Sequence, residues 1–88
     1  MSPSYQPPGI TIDQQLDACG LQCPMPLLKA KLALNNLAAG QVLEVLATDA
    51  GSYRDFHAWV GQSAHELLLA EASNPQQAFF RYWIRKGA

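Results

Sequence analysis

The run Cys23-Pro24-Met25-Pro26 constrains this chain more than any other feature, because two prolines one residue apart fit a helix only in its first turn. The amide donors they lack have no intrahelical partner there. Leu27, Leu28, Leu32, Leu34 and Leu37 follow at roughly helical spacing. They predict a first helix over residues 24–38, with Gly40 as its stop.

The other elements arrange themselves around that helix. Residues 11–17, with Ile12 and Leu16 as apolar members, read as a strand that meets a glycine turn at Cys19-Gly20. Residues 42–48 are apolar and β-branched, too short for a helix of their own, and read as a second strand. The helix between these strands is long enough for a crossover, so they should run parallel. Asp49 to Ser52 supplies capping side chains for a second helix, in which Tyr53, Phe56, Trp59 and Val60 recur until Gly61. Residues 65–71 and 78–86 read as strands of a closing hairpin, joined through Ser73-Asn74-Pro75.

The resulting order is β-α-β-α-β-β. Two helices are enough to cover one face of a four-stranded sheet, which predicts an α+β, two-layer sandwich. Residues 1–10, with Pro3, Pro7 and Pro8, read as a flexible leader, and residues 11–88 as a single domain.

Six basic and seven acidic side chains nearly cancel. The overall field therefore gives no reason to expect stable nucleic acid binding or attraction to an anionic bilayer. No stretch approaches the roughly 20 apolar residues of a membrane span. Two cysteines are too few for the framework of a small secreted domain, so they should stay reduced in a cytoplasmic protein, with a monomer as the default state.

Cys23 is the candidate reactive residue. A free thiol with a pKa of roughly 8.5 is only about 3% thiolate at pH ~7, and the thiolate is the nucleophile. A helix start favours negative charge through its dipole and unpaired amides, and a pKa near ~7 would make about half of the residue reactive. Pro24 pushes Cys23 away from helical geometry, which would present the sulfur outward. The alternative is a small buried hydrophobe, common for free cysteine. Cys19, four residues earlier, is a candidate redox partner or an inert strand-end residue. His57 and His65 fit no common zinc spacing with the cysteines, so no metal is expected. Arg81, Trp83 and Arg85 share one face of the last strand, a candidate docking surface for an acidic partner.

The stretch from Leu16 to Lys31, centred on Gly20-Leu21-Gln22-Cys23-Pro24-Met25-Pro26, resembles the signature of the TusA/SirA/YedF family of small sulfur carriers. Thr48-Asp49, Arg54-Asp55 and the closing Tyr82-Trp83-Ile84-Arg85-Lys86 extend the likeness over residues 11–87. This resemblance implies a mixed four-stranded sheet, a helix-start motif formed by Gly20, Pro24 and Pro26, and a sulfur-accepting cysteine at Cys23. It further implies a donor such as a cysteine desulfurase or rhodanese, and a downstream acceptor protein. The chain would be a sulfurtransferase-type relay rather than a stand-alone enzyme, with no cofactor. Family members serve transfer RNA thiolation, molybdenum-cofactor maturation or sulfur oxidation.

Two other readings compete. One is a thiol-disulfide redox or sensor protein using Cys19 with Cys23. The other is a binding module that docks a partner through Arg81, Trp83 and Arg85 on the sheet face without helices.

Overall fold

The computed structural model describes residues 9–73 and 79–87. Most of the expected leader, the Ser73-Asn74-Pro75 turn apart from the end of its preceding strand, and Ala78 lie outside the described residues.

Six elements follow in the expected order: β1 (Gln14–Ala18), α1 (Met25–Asn35), β2 (Val42–Ala47), α2 (Gly51–Gly61), β3 (Glu66–Ser73) and β4 (Phe79–Arg85). The sheet order is β1-β2-β4-β3. β1 runs parallel to β2, whereas β4 is antiparallel to both β2 and β3, so the sheet is mixed. A register shift between Leu67 and Leu69 marks a bulge in β3.

Two of the boundaries that differ from the sequence expectation, and one helix cap, have a local reason. β1 begins late because Asp13 substitutes a side chain for strand pairing: its N–H donates to Val42 O at 2.9 Å, while its Oδ2 accepts from Val42 N at 2.8 Å. Helix α1 ends at Asn35, ahead of residue 38, where the amides of Asn36 and Leu37 bond three residues back to Ala33 and Leu34 and tighten the last turn. Gly40, at φ 89°, then makes the turn into β2. In α2 no side chain caps the first turn among the described residues: Ala50 stands at the cap, and Ser52, inside the helix, hydrogen-bonds Tyr82 Oη at 2.7 Å.

One face of the sheet carries Leu16, Ala18, Leu43, Val45, Ala47, Tyr82 and Ile84, and both helices pack on it. From α1 it receives Ala30, Ala33 and Leu34, with Leu27 and Leu37 at the margin. The leucine stripe read from the sequence is therefore only partly the buried one. Alanines let α1 sit close to the sheet, and Leu28 (44% exposed) and Leu32 (64%) face outward. From α2 come Phe56 and Val60. Phe56 stacks on Tyr82 with ring centroids 4.3 Å apart and planes within 2° of parallel. Lys31 Nζ lies 5.6 Å from the Trp59 ring centroid, linking the helices.

The opposite face is held by polar contacts. Gln15, Glu44 and Trp83 stand side by side in register across β1, β2 and β4. Glu44, 1% exposed, accepts hydrogen bonds from Gln15 Nε2 and from Trp83 Nε1, the latter at 2.9 Å. A carboxylate this deep is tolerable because its oxygens are bonded. At the sheet end Arg85 pairs with Glu66 at 2.9 Å, in register across β4 and β3.

Candidate functional site

The chain leaves β1 through a turn whose polar groups are matched locally. Asp17 Oδ1 accepts from Cys19 N at 3.0 Å, and Gly20 N donates to Thr48 Oγ1 at 2.8 Å. Gly20 has φ 83°, a conformation that costs an L-residue about 1–2 kcal/mol. This turn sets the direction in which the chain arrives at α1.

At the helix start Pro26 is fully buried and anchors the first turn against the core, while Cys23 just before it is exposed. The prolines occupy the first turn as expected, with Pro24 at the cap. Their effect on Cys23 differs from the expected one. Pro24 and Pro26 have no N–H, and Met25 N donates to Gln22 O at 2.8 Å, so this helix start has few amides to offer a thiolate.

The dominant neighbour of Cys23 comes instead from α2. Cys23 Sγ donates to Asp55 Oδ2 at 2.6 Å, direct contact between groups 32 residues apart in sequence. Phe56 and Ser52, buried against Tyr82, fix the helix that presents Asp55. The Asp55 hydrogen bond is the main reason the Cys23 thiol is pushed above its ordinary pKa. Desolvation and the negative charges of Asp55 and Asp49 act in the same direction, and Arg54 opposes them. The lowered value expected from helix-start placement is thus corrected: the Asp55 hydrogen bond, with desolvation and the neighbouring acids, moves the thiol the other way.

Asp49, one of those acids, comes from the β2–α2 turn. Its Oδ2 is buried without a hydrogen-bond partner among the described residues. Gly51 leaves room for it, since a Cβ there would lie 3.1 Å from Asp49 Oδ2 and 3.8 Å from Cys23 Cβ. Beneath the thiol, a crevice of ≈130 Å³ runs between Pro24, Pro26, Leu27, Ser52, Asp55 and Phe56, and none of it admits a water-sized sphere. A second sulfur on Cys23 would therefore have no internal space and would project outward.

Cys19 is also a free, exposed thiol. Partial desolvation, reinforced by the hydrogen bond and charge of Asp17, pushes it up to about 11. His57, on α2, is tied to Tyr53 O at 2.8 Å, and His65 accepts from Gly87 N at 3.0 Å just before β3. No group of three or more His, Cys, Asp or Glu among the described residues could hold a metal ion. No helix among them is long and apolar enough to cross a membrane.

The residues proposed for docking are separated by burial. Arg81 and Arg85 reach the surface, but Trp83 is fully buried, its indole N–H bonded to Glu44. Its place in the expected docking surface is corrected accordingly: Trp83 is a structural residue of the helix-free face. Strand alternation placed it on the right face without revealing that its own side chain is buried there against Glu44.

The family model for sulfurtransferase TusA matches residues 14–86. A sulfur carrier protein TusA from Allochromatium vinosum is 47% identical over 74 residues, covering 84% of this chain and 93% of the relative. A putative sulfur carrier protein, YrkI, from Bacillus subtilis is 44% identical over 75 residues, covering 85% of this chain and 96% of the relative. The crystal structure of a SirA-like protein from Desulfitobacterium hafniense superposes with a TM-score of 0.66 at 26% identity, covering 85% of this chain and 99% of the other. All six elements and the helix-start cysteine fall within the matched span, and this chain belongs to the TusA family.

Proposed function

We propose that this protein carries sulfur as a persulfide on Cys23, taking it from a donor protein and handing it to an acceptor. The observation that carries this reading is the exposed Cys23 thiol at the start of α1, within a chain whose relatives are named sulfur carriers. Thiol exchange needs a sulfur open to attack by an incoming thiolate, and the dry crevice beneath Cys23 favours an outward persulfide. The donor is a cysteine desulfurase or rhodanese, and the acceptor serves transfer RNA thiolation, molybdenum-cofactor maturation or sulfur oxidation. A reducing cytoplasm suits such a relay.

The competing redox reading needs Cys19 as partner for Cys23. With its pKa at about 11, Cys19 would be thiolate in only about one molecule in 10,000 at pH ~7, which makes it a poor resolving nucleophile.

Intact mass spectrometry after incubation with a cysteine desulfurase and cysteine tests the proposal. Wild type and Cys19→Ser should each gain about 32 Da and Cys23→Ser none. A gain retained by Cys23→Ser, or a loss of about 2 Da that requires both cysteines, would overturn it.

A further inference from the structure

We infer that Asp55 is the proton acceptor for Cys23 during sulfur transfer, the general base of the relay. This inference rests on the carrier reading and deepens it. Three observations support it. Asp55 Oδ2 is the atom to which Cys23 Sγ donates, so the proton that must leave already points at the carboxylate. The helix start is poor in amides that could stabilise a free thiolate, because Pro24 and Pro26 have no N–H and Met25 N is bonded to Gln22 O. Phe56, stacked on Tyr82, and Ser52, bonded to Tyr82 Oη, hold α2 and hence Asp55 in place.

The charged groups around the thiol sharpen the problem that Asp55 solves. The charges of Asp55 and Arg54 act on Cys23 from α2, and that of Asp49 acts from the turn before α2. The acids prevail and push the resting thiol toward its protonated form. A carrier with this arrangement cannot depend on a standing supply of thiolate, so the proton must leave as the sulfur attacks.

The step balances without an oxidant. The Cys23 sulfur attacks the outer sulfur of a donor persulfide, R–S–SH, as its proton passes to Asp55. The new Cys23 S–S bond forms while the donor S–S bond breaks. The donor leaves as thiolate and is protonated by the Asp55 carboxyl, giving Cys23–S–SH and R–SH. In unloading the roles reverse: an acceptor thiol passes its proton to Asp55 as its sulfur attacks the outer sulfur, the Cys23 S–S bond breaks, and Asp55 returns that proton to the departing Cys23 sulfur.

Asp55→Asn separates a base from a mere electrostatic brake, because the two roles predict opposite effects on two rates. Removing the charge should raise the thiolate fraction, so Cys23 should react faster with iodoacetamide at pH ~7. Sulfur loading from a persulfidated cysteine desulfurase should nevertheless slow by at least about tenfold, the low end of what a positioned base contributes. Asp55→Glu, which keeps a carboxylate, should recover most of the loading rate. Circular dichroism establishes that each variant is folded, and if Asp55→Asn is not, Asp55→Ser takes its place with the same expectation. Loading by Asp55→Asn as fast as wild type or faster overturns the inference, as does a folded Asp55→Glu that loads no better than Asp55→Asn. Wild-type protein that gains no mass sinks the carrier reading and the inference together, whereas wild-type loading matched by Asp55→Asn sinks the inference alone.

Discussion

The turn after β1 and the start of α1 each hold an exposed cysteine beside an aspartate, and the two pairings are built differently. Cys19 meets Asp17, two residues back along the chain, whose Oδ1 also holds the Cys19 amide at 3.0 Å. Partial desolvation is the first cause of its raised pKa, and Asp17 adds to it. Cys23 meets Asp55 across 32 residues, and that hydrogen bond is itself the first cause. Desolvation is a property of position that no proton transfer can relieve. A carboxylate from a second helix can accept the proton that Cys23 Sγ donates to it. One thiol is therefore set aside by its surroundings, while the other is restrained by a group able to release it.

The most direct way to break this comparison is to measure both thiols in one molecule. A shift from 9.0 to about 11 lowers the Cys19 thiolate fraction about a hundredfold below pH 9. The more basic thiolate is a better nucleophile, with a Brønsted slope of about 0.4–0.5, which recovers about tenfold of that loss. Cys19 should thus alkylate about tenfold more slowly than an unperturbed thiol at pH ~8, and more slowly than Cys23. Peptide mapping after timed iodoacetamide pulses reads both rates. Equal rates, or a faster Cys19, would remove the distinction and reopen the redox reading.

Which half of this contrast the sequence discloses follows from distance along the chain. The Asp17-Ala18-Cys19 spacing and the Cys23-Pro24-Met25-Pro26 run are local, and so are the turn at Gly20 and the position of each helix and strand. Arg54-Asp55 is part of the family resemblance, yet nothing in its spacing reveals that Asp55 reaches Cys23; that contact exists only once α2 packs beside α1. Glu44 was illegible for a similar reason. Within the apolar run of β2 it looks like an interruption, and its partners Gln15 and Trp83 come from two other strands. Trp83 alternates with core residues and so looked available for docking, because alternation reports a face but not what covers it. Leu28 and Leu32 fitted a helical stripe, but the small Ala30 and Ala33 allowed α1 to rotate its close-packed side toward the sheet.

A smaller effect should follow from removing the local carboxylate. Asp17→Asn takes away a hydrogen bond and a charge that both raise the Cys19 pKa, but leaves the larger contribution of desolvation. Cys19 alkylation should speed up about threefold, short of the tenfold needed for full recovery. Cys23 alkylation should be unchanged, since Asp17 is not among the charges that act on it. A full recovery would mean that Asp17, rather than position, silences Cys19, and the two pairings would then be alike in kind.

The smallest expected effect is on stability against pH, and both members of the Asp17–Cys19 pair contribute with opposite signs. Asp17 is lowered below 3.8, chiefly by the Cys19 amide. A folded pKa below the unfolded one means stability that is present above about pH 4 and lost as pH falls through the folded value. Cys19 is raised from 9.0 to about 11, so its contribution is complete below pH 9 and disappears between 9 and about 11. The turn after β1 is therefore best held between about pH 4 and 9. Solvent screens both exposed groups, so the change in urea midpoint should be slight at either end. Asp17→Asn should flatten the acid limb relative to wild type, and Cys19→Ser should flatten the alkaline limb as far as Cys19 alone produces it. Cys23 is raised too, and Cys23→Ser should flatten the alkaline limb independently. If the two cysteine variants prove non-additive there, the thiols are coupled to one another, and their separate pairing with Asp17 and Asp55 is not the whole of their electrostatics.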